Sequence, residues 1–368
     1  MNIKVFGRRV RNFSLTKLWS IVNFIKHRHK NNSIEFIIED ADWAIKRVGE
    51  YICTEIEKIS KIEINTNNKP YTSFGRVIHF GSQYMWLDWG QYMSKNSHYV
   101  VSFFHGKPED GPEIAHHVKL FIKSVPRLSR IVVSNSIVEN RLIKWGVDPH
   151  KIIKIPIGVD MNLFKIPTNY QKNNARNYYN LPKDSIVIGS FQKDGVGWGD
   201  GLSPKIVKGP DIFLQTLNII RKKINVSVLL TGPARGYVKA GLEDMGIKYT
   251  HTYVEEYSDL TKCYQALDLY LISSREEGGP MALMEGMASG VPIVSTPVGM
   301  AKDFIVQGEN GHISELVSPE SLADSLLSTV SLISDGAFSK EKIRSYMNKC
   351  SWQVVASHHL DSVYKPLL

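Results

Sequence analysis

In the first half of the chain, short apolar runs alternate with stretches whose apolar residues recur at helical spacing. Rich in β-branched and aromatic residues, the runs predict buried strands: Ile3–Phe6, Ile34–Ile38, Val77–Phe80, Tyr99–Phe104, Ile131–Ser134 and Ile152–Ile157. Helical spacing predicts helices over Ser14–Lys30 and Ile137–Trp145. Strands that alternate with helices favour a parallel sheet covered on both faces.

The same alternation restarts after a polar stretch, Pro167–Ser185, which contains five Asn residues and is typical of a domain boundary. Further strands are predicted over Ile186–Ser190, Val226–Thr231, Leu267–Ser273 and Pro292–Ser295. Helices are predicted over Pro210–Arg221, Val238–Met245, Met281–Ser289 and Gln353–Tyr364. The pattern predicts an α/β protein in which two doubly wound domains face each other across a cleft, with ligands beyond the carboxyl ends of the strands.

We place the domains at residues 1–170 and 171–350. Residues 351–368 form a separate C-terminal helix, for which packing back on the N-terminal domain is one arrangement.

Composition indicates a folded protein of ordinary type. The hydrophobic fraction is 43% and the charged fraction 22%, which excludes a disordered chain. The three cysteines, Cys53, Cys263 and Cys350, are too scattered for a disulfide framework or a zinc site. No apolar run reaches membrane-spanning length, and the N-terminal residues do not resemble a signal peptide. We therefore predict a cytoplasmic protein.

The net charge of +9 is concentrated in the first half of the chain. Residues 1–165 hold 25 Lys and Arg against 15 Asp and Glu, and the first thirty residues carry eight basic residues and no acid. This asymmetry indicates an anionic partner for the N-terminal half, such as a membrane surface, a phosphorylated lipid or a nucleic acid.

Two acids, Glu277 and Glu285, lie on either side of a predicted strand-to-helix turn. Gly278 and Gly279 allow the backbone to approach a ligand, and Pro280 suits the first turn of a helix. The start of that helix offers backbone N–H groups and a positive dipole end to an anion. Carboxylates instead accept hydrogen bonds from diols.

A ligand with phosphates in the middle and polyols at both ends fits this arrangement, and a nucleotide-sugar is the simplest example. Glu285 would then bind the ribose and Glu277 the sugar. The alternative is that these acids and Glu276 lie on a solvated surface beside an ordinary turn, and spacing alone favours that alternative.

The stretch resembles the E-x7-E signature of retaining glycosyltransferases of family 4, the group 1 family. The resemblance runs from Ile152 to the C-terminus in the order of that family. Its motifs are Ile155–Asp160 with Phe164, Lys208-Gly209 with Asp211, Glu277-Gly278-Gly279, Glu285, Ala288, Gly290, Pro292–Val294, Gly299 with Asp303, and Gly308–Gly311.

The resemblance implies the GT-B fold, in which two Rossmann-like domains hold the active site between them. The N-terminal domain would bind the acceptor, and the C-terminal domain a UDP- or GDP-sugar. It also implies a retaining hexosyltransferase without metal or cofactor, with the departing phosphate taking the acceptor's proton. The chain has no His/Cys cluster at metal-ligand spacing, which agrees with this. A saccharide or lipid-linked acceptor, and a role in cell-surface polysaccharide or glycolipid synthesis, follow as expectations.

Without a metal, the leaving diphosphate needs fixed positive charge. Lys208 matches the family's lysine before a helix. The family's first basic residue is replaced, and Lys193 is our preferred substitute, with Lys205 as the alternative. A glycine-rich insertion, Asp194–Pro204, follows; it is either a mobile loop over the donor or a surface excursion. Arg235 lies after a strand, where a nucleotide contact and a structural turn are equally compatible with its position.

Donor binding by the helix start is assigned to Met281 and Ala282, together with Gly278 and Gly279. In the N-terminal domain, His105 follows a predicted strand, where the family commonly has a histidine near the transferred sugar. We assign His105 to the catalytic set, though not as a general base.

The loop after the first predicted strand departs from the family, because Gly7-Arg8-Arg9 replaces its Gly-Gly. Gly7 is assigned to donor binding, and the arginines either approach the ligands or remain on the surface. The helix Ser14–Lys30, with its basic end, either lies on an anionic membrane at its inner face or packs on the sheet.

Other classes remain as alternatives: a GT-B sugar-nucleotide epimerase, a phosphorylase, or a basic nucleic-acid-binding protein. The last leaves the two acids unexplained, and the chain lacks a helix-turn-helix or RNA-binding signature.

Overall fold

The computed structural model describes residues 10–19, 21, 33–40 and 44–368. The chain divides into two compact units, Met1–Gly158 with Trp352–Leu368, and Val159–Ser351. The predicted strand Ile3–Phe6 lies outside the described residues, as do Gly7, Arg8 and Arg9. Residues 10–19 form a helix, α1, and residues 22–30 of the predicted helix Ser14–Lys30 are likewise outside the description.

The first unit contains a parallel sheet whose described strands run in the order β2-β1-β3-β4-β5-β6. Its central strands are apolar and buried, so they have protein on both faces. The strands are β1 (Ser33–Ile37), β2 (Glu63–Asn67), β3 (Val77–Phe80), β4 (His98–Phe103), β5 (Arg130–Val133) and β6 (Ile152–Lys154).

The strand β2 was not predicted from the sequence. Helices connect the strands of this sheet. They are α2 (Ala44–Ile59), α3 (Gln83–Trp89), α4 (Pro112–Ser124) and α5 (Ser136–Lys144). Asn135 caps α5 by accepting a hydrogen bond from the backbone N–H of Val138 at 2.9 Å, which fixes where that helix begins. The predicted strand Ile152–Ile157 ends at Lys154, because an extended loop follows it.

Residues 352–368 belong to the first unit as a helix, α14 (Trp352–His358), followed by a π-helical turn, His359–Tyr364. Trp352 stacks on Tyr51 of α2 with ring centroids 4.8 Å apart. The Tyr364 hydroxyl lies 2.7 Å from Nδ1 of His79 on β3, and both side chains are fully buried. A polar contact inside an apolar core therefore fixes the position of this segment.

The second unit contains a six-stranded parallel sheet in the order β12-β11-β10-β7-β8-β9. Counted within the unit, this is the Rossmann order 3-2-1-4-5-6, which reverses direction between β7 and β10. The strands are β7 (Ile186–Ser190), β8 (Val226–Thr231), β9 (Lys248–Thr252), β10 (Leu269–Ile272), β11 (Ile293–Ser295) and β12 (Gly311–Ile313). The two parallel sheets confirm the predicted α/β class.

Eight helices are described in the second unit: α6 (Asn169–Tyr178), α7 (Pro210–Ile220), α8 (Gly236–Asp244), α9 (Leu260–Gln265), α10 (Met281–Ala288), α11 (Ala301–Phe304), α12 (Pro319–Ser334) and α13 (Lys340–Ser345). The polar stretch Pro167–Ser185 is mostly helical and lies within this unit. Lys172 and Arg176 of α6 pair with Asp268 at 2.7 and 2.5 Å, which attaches α6 to the start of β10.

No helix in the described part of the chain has both the length and the apolar character needed to cross a bilayer.

Candidate active site

The candidate site lies where the second sheet changes direction, at the carboxyl ends of β7 and β10. In doubly wound sheets this crevice is where ligands bind. Two connections meet there, the one from β7 to α7 and the one from β10 to α10. Together with α10, they carry most of the residues predicted from the sequence.

Lys208 and Glu277 form an ion pair at this point. Nζ of Lys208 lies 2.6 Å from Oε1 of Glu277, and the side chains are 25% and 9% exposed. The hydroxyl of Ser274 donates to the same carboxylate oxygen at 2.8 Å. Gln192 donates to the carbonyl of Lys208 at 3.0 Å, which links the end of β7 to this pair. The site thus presents an ammonium and a carboxylate side by side, each held by neighbours.

The backbone around Lys208 is attached to the segment after β10. Arg275 forms a bidentate pair with Asp211, with Nη–Oδ distances of 2.7 and 2.6 Å, and its backbone N–H donates to the carbonyl of Val207 at 2.8 Å. Hydrogen bonds from Arg275, the largest effect, lower the pKa of the Asp211 carboxyl. Gly209 has φ +64°, and a Cβ there would lie 1.9 Å from the carbonyl oxygen of Ser273. Only glycine allows the two connections to approach this closely.

Glu285 lies on α10 with both carboxylate oxygens hydrogen-bonded. The hydroxyl of Tyr257 donates to Oε1 at 2.6 Å, and that of Tyr264 donates to Oε2 at 2.7 Å. Glu285 is 5% exposed, so it is not a residue of a solvated helix face. Neither tyrosine was predicted from the sequence, because they lie 28 and 21 residues before Glu285 and carry no motif.

Lysines gather near Glu277. Nζ of Lys193 lies 3.6 Å from the ring centroid of Trp198, a cation–π contact. The pKa of Lys205 is lowered, mostly by partial burial and then by the charges of Lys208 and Lys193, while Glu277 acts in the opposite direction. The charges of Lys208, Lys193 and Glu277 thus all act on Lys205, and this local excess of positive charge is suitable for a polyanionic ligand.

The glycine-rich insertion Asp194–Pro204 is attached at its base and along one side. A bridge joins Gly195 to Pro204, and the backbone N–H of Lys205 donates to the carbonyl of Asp194 at 2.7 Å. On the other side, the carbonyls of Asp200 and Gly201 accept hydrogen bonds from the first N–H groups of α8, at 2.6 and 3.0 Å. The insertion therefore caps α8, and its tip at Trp198, which is 66% exposed, projects from it.

Arg235 holds this insertion in place and does not present its charge to solvent. It is 1% exposed and donates to the carbonyls of Ser190 and Thr231 at 2.6 and 2.9 Å. Its Nε lies 3.0 Å from Oδ1 of Asp194, an ion pair without a well-aligned hydrogen bond. Burial raises the pKa of the Asp194 carboxyl, although Arg235 opposes that effect. A side chain that is buried with these partners does not fit the predicted nucleotide contact. It fits the alternative, in which Arg235 stabilises a structural turn.

The remaining predicted residues lie as follows. Glu276 and Gly278 are buried, and Gly279 is half-buried before α10, which begins at Met281 and continues through Ala282. His105 is exposed in the first unit, directly after β4, and its carbonyl accepts a hydrogen bond from Gln83 at 3.1 Å. Across the described ranges of the chain, no group of three or more His, Cys, Asp or Glu side chains is arranged to hold a metal ion.

Residues 201–331 match the family described as "Glycosyl transferases group 1". A D-inositol 3-phosphate glycosyltransferase from Corynebacterium urealyticum is 24% identical over 254 residues, which cover 64% of this chain and 57% of that protein. The chain spans about half the length of the curated relatives it matches.

Solved structures share the fold over most of the chain. The sucrose-phosphate synthase of Thermosynechococcus elongatus has a TM-score of 0.71 and 15% identity, with 92% of this chain and 99% of that chain covered. HepE of Anabaena, solved in complex with UDP-glucose, has a TM-score of 0.65 and 17% identity, with 90% and 96% covered.

The predicted GT-B fold is confirmed by these structures. Lys208, Glu277 and Glu285 all lie within the matched residues 201–331, so this part of the chain is similar to the group 1 glycosyl transferases.

Proposed function

We propose that this protein transfers a hexosyl group from a UDP- or GDP-sugar to a saccharide or lipid-linked acceptor, with retention of configuration and without a metal or cofactor. The observation that carries the proposal is the Lys208–Glu277 pair at the reversal point of the second sheet, followed on α10 by Glu285. The complex of HepE with UDP-glucose supports a nucleotide-sugar donor. The inositol phosphate named for a relative supports a polyol acceptor.

In the proposed reaction, the bond between the anomeric carbon and the diphosphate oxygen breaks, and a bond from an acceptor hydroxyl forms on the same face of the sugar. The hydroxyl proton passes to the departing phosphate oxygen. Negative charge grows on the diphosphate, where Lys208 and Lys193 stabilise it. Glu277 accepts hydrogen bonds from the sugar hydroxyls, and its pairing with Lys208 keeps both groups oriented before the donor binds.

Glu285 is assigned to the ribose of the donor. Its carboxylate is nearly buried and already oriented, so it can accept hydrogen bonds from a diol without first being ordered. His105 stays a proposed sugar contact from the first unit, and Gly7 a proposed donor contact.

Calorimetry with UDP and GDP tests the donor site. We expect Glu285→Ala to weaken binding of the preferred diphosphate by about tenfold or more, because a charged hydrogen-bond acceptor is lost. The exposed acid Glu315 provides a control, and Glu315→Ala should bind like the wild type. Unchanged affinity in Glu285→Ala would remove the ribose assignment.

Product analysis separates transfer from the alternative chemistries. Incubation with UDP- and GDP-sugars and saccharide acceptors should release the nucleoside diphosphate and form an α- or β-linkage that matches the donor. Conversion of the donor to its epimer would instead indicate an epimerase. Salt-sensitive binding of RNA or DNA, without nucleotide-sugar binding, would favour the nucleic-acid alternative.

We also propose that α1 lies on an anionic membrane at its inner face, as fits a glycolipid or cell-surface polysaccharide pathway. Val10, Phe13 and Leu18 are 49%, 51% and 60% exposed on this short helix, and they recur at helical spacing. The first thirty residues are basic without an acid, which complements anionic headgroups.

Flotation with phosphatidylglycerol vesicles tests this surface. The wild type should float at low salt and less at high salt. A double variant, Phe13→Ser with Leu18→Ser, should lose flotation, whereas Leu316→Ser, which changes a 66% exposed leucine elsewhere, should not. Flotation of the double variant at the wild-type level would contradict the proposal.

A further inference from the structure

We propose that Tyr257 is a positioning residue that makes Glu285 select a ribonucleotide donor over its 2′-deoxy counterpart. The inference rests on the proposed function, in which Glu285 binds the ribose. It starts from the two phenol hydroxyls, which hold the two oxygens of one carboxylate from either side.

The two tyrosines hold Glu285 in different ways. Tyr264 is fully buried on α9, where its ring packs edge-on against Phe164 and Phe191 with centroids 5.6 and 4.9 Å away. Its hydroxyl position is therefore set by the core. Tyr257 is half-buried on the turn just before α9, and its ring packs edge-on against Phe164 with centroids 5.6 Å apart. The carboxylate is thus held from the core at Oε2 and from the partly exposed side at Oε1.

Holding both oxygens fixes the plane of the carboxylate. A glutamate side chain has several rotatable bonds, and one hydrogen bond would still allow the carboxylate to turn about it. The two phenols donate to the carboxylate in the short range typical of O–H···O⁻ contacts. They therefore set the orientation in which the carboxylate would meet a diol.

A fixed acceptor discriminates strongly between ligands that offer a hydroxyl and ligands that lack it, because the missing donor leaves a desolvated acceptor unmatched. An acceptor that can turn finds another donor and discriminates less. The selectivity for ribose therefore depends on Tyr257, although its hydroxyl does not itself have to touch the ligand.

Calorimetry of UDP against 2′-deoxy-UDP tests the inference, with the GDP pair used if GDP binds more tightly. The wild type should bind the ribonucleotide about tenfold more tightly than the deoxynucleotide. Tyr257→Phe keeps the ring and removes the hydroxyl, and we expect the ratio to fall to about threefold or less. The matched control is Tyr170→Phe, at a tyrosine that is 74% exposed, and it should keep the wild-type ratio.

The outcomes separate the inference from the proposed function. A wild type that binds both nucleotides equally well would remove the ribose assignment of Glu285 itself. If the wild type prefers the ribonucleotide and Tyr257→Phe shows the same preference, the inference is overturned while the ribose assignment of Glu285 stands. Equal weakening of both nucleotides in Tyr257→Phe, at an unchanged ratio, would also overturn it, because a purely structural role predicts that result. Thermal melting of each variant, measured in parallel, shows that the compared proteins are folded.

Discussion

The ammonium of Lys208 lies 2.6 Å from a carboxylate oxygen of Glu277, across two connections that are 69 residues apart in the sequence. The two charges compensate each other before any ligand binds. In the proposed reaction, a diphosphate would compete with Glu277 for Lys208, so the pair would link the binding of the leaving group to the orientation of Glu277. This relationship gives a separate expectation for each of the two residues.

Replacement of Lys208 should reduce turnover much more than stability. We expect Lys208→Met to lower kcat/KM by about a hundredfold or more, because a charge that stabilises the leaving diphosphate is lost. Steady-state kinetics and a thermal melt measure the two effects. Lys205→Met is the matched control from the same lysine cluster, and its effect on kcat/KM should be clearly smaller. Wild-type kinetics in Lys208→Met would contradict the assignment.

Replacement of Glu277 should separate nucleotide binding from sugar transfer. Glu277→Gln keeps an oxygen for Lys208 and Ser274 but removes a negative charge beside the diphosphate site. The affinity for the free nucleoside diphosphate should therefore stay equal or rise, while kcat falls about tenfold or more. Glu276→Gln, at the neighbouring buried acid, should change kcat less. A larger loss of kcat in Glu276→Gln would assign the sugar to Glu276.

The buried pair of Arg235 and Asp194 should stabilise the insertion. Arg235→Met leaves the Asp194 carboxylate buried without its cation, and we expect a loss of about 3–5 kcal/mol in the free energy of unfolding. Adding Asp194→Asn should recover part of that loss, since a neutral amide does not need the charge. Urea unfolding of the single and double variants measures the loss of stability and its recovery. An undiminished stability of Arg235→Met would refute the structural role of Arg235.

Gly209 should tolerate no side chain. Gly209 and Gly246 have nearly the same φ, +64° and +65°, but a Cβ at Gly246 meets nothing within 4 Å. Gly246→Ala should cost about 1–2 kcal/mol, the ordinary effect of a left-handed conformation. Gly209→Ala adds the collision with the carbonyl of Ser273, so it should cost more and displace Lys208, with a loss of turnover. Equal unfolding free energies for the two variants would exclude this contact.

Stability should fall in mild acid because of His359. Burial lowers the pKa of His359 to about 4, so the folded protein keeps this histidine neutral where the unfolded chain, near pKa 6.5, takes up a proton. The contribution of neutral His359 to the free energy of unfolding is complete above about pH 6.5. It is lost as the pH falls towards 4, by about 3 kcal/mol in total. His79, whose pKa is also lowered by burial, acts in the same direction.

Urea unfolding between pH 7.5 and 4.5 measures this dependence. His359→Gln should flatten the pH profile, whereas His358→Gln, at the exposed neighbour, should retain the wild-type slope. An unchanged slope in His359→Gln would assign the acid sensitivity to other groups.

The central strands were predictable, whereas the edge strands β2, β9 and β12 were not. Val77–Phe80, Ile186–Ser190 and Val226–Thr231 have the bounds predicted for them, because strands covered on both faces need continuous apolar runs. The strands β2 and β9 lie at sheet edges, and their sequences, EINTN and KYTHT, are mostly polar. A strand that pairs on one side only does not need an apolar run, so its sequence carries little signal.

The site was predictable to the extent that local backbone chemistry defines it. The glycines and proline between Glu277 and Glu285 indicate a turn and a helix start, and the structure has α10 there. The hydroxyls of Tyr257 and Tyr264 reach Glu285 because the segment from Tyr257 to Tyr264 lies beside α10. That meeting depends on the tertiary path of the chain, and spacing along the sequence does not encode it.

The position of residues 352–368 in the first unit has a consequence for the order of folding during synthesis. The second unit is continuous in sequence, so it can complete its core as soon as Val159–Ser351 have left the ribosome. The first unit is made earlier but remains unfinished, because His79 has no hydroxyl from Tyr364 until the chain has been extended through residue 364. The unit that is translated first is therefore the one that closes last.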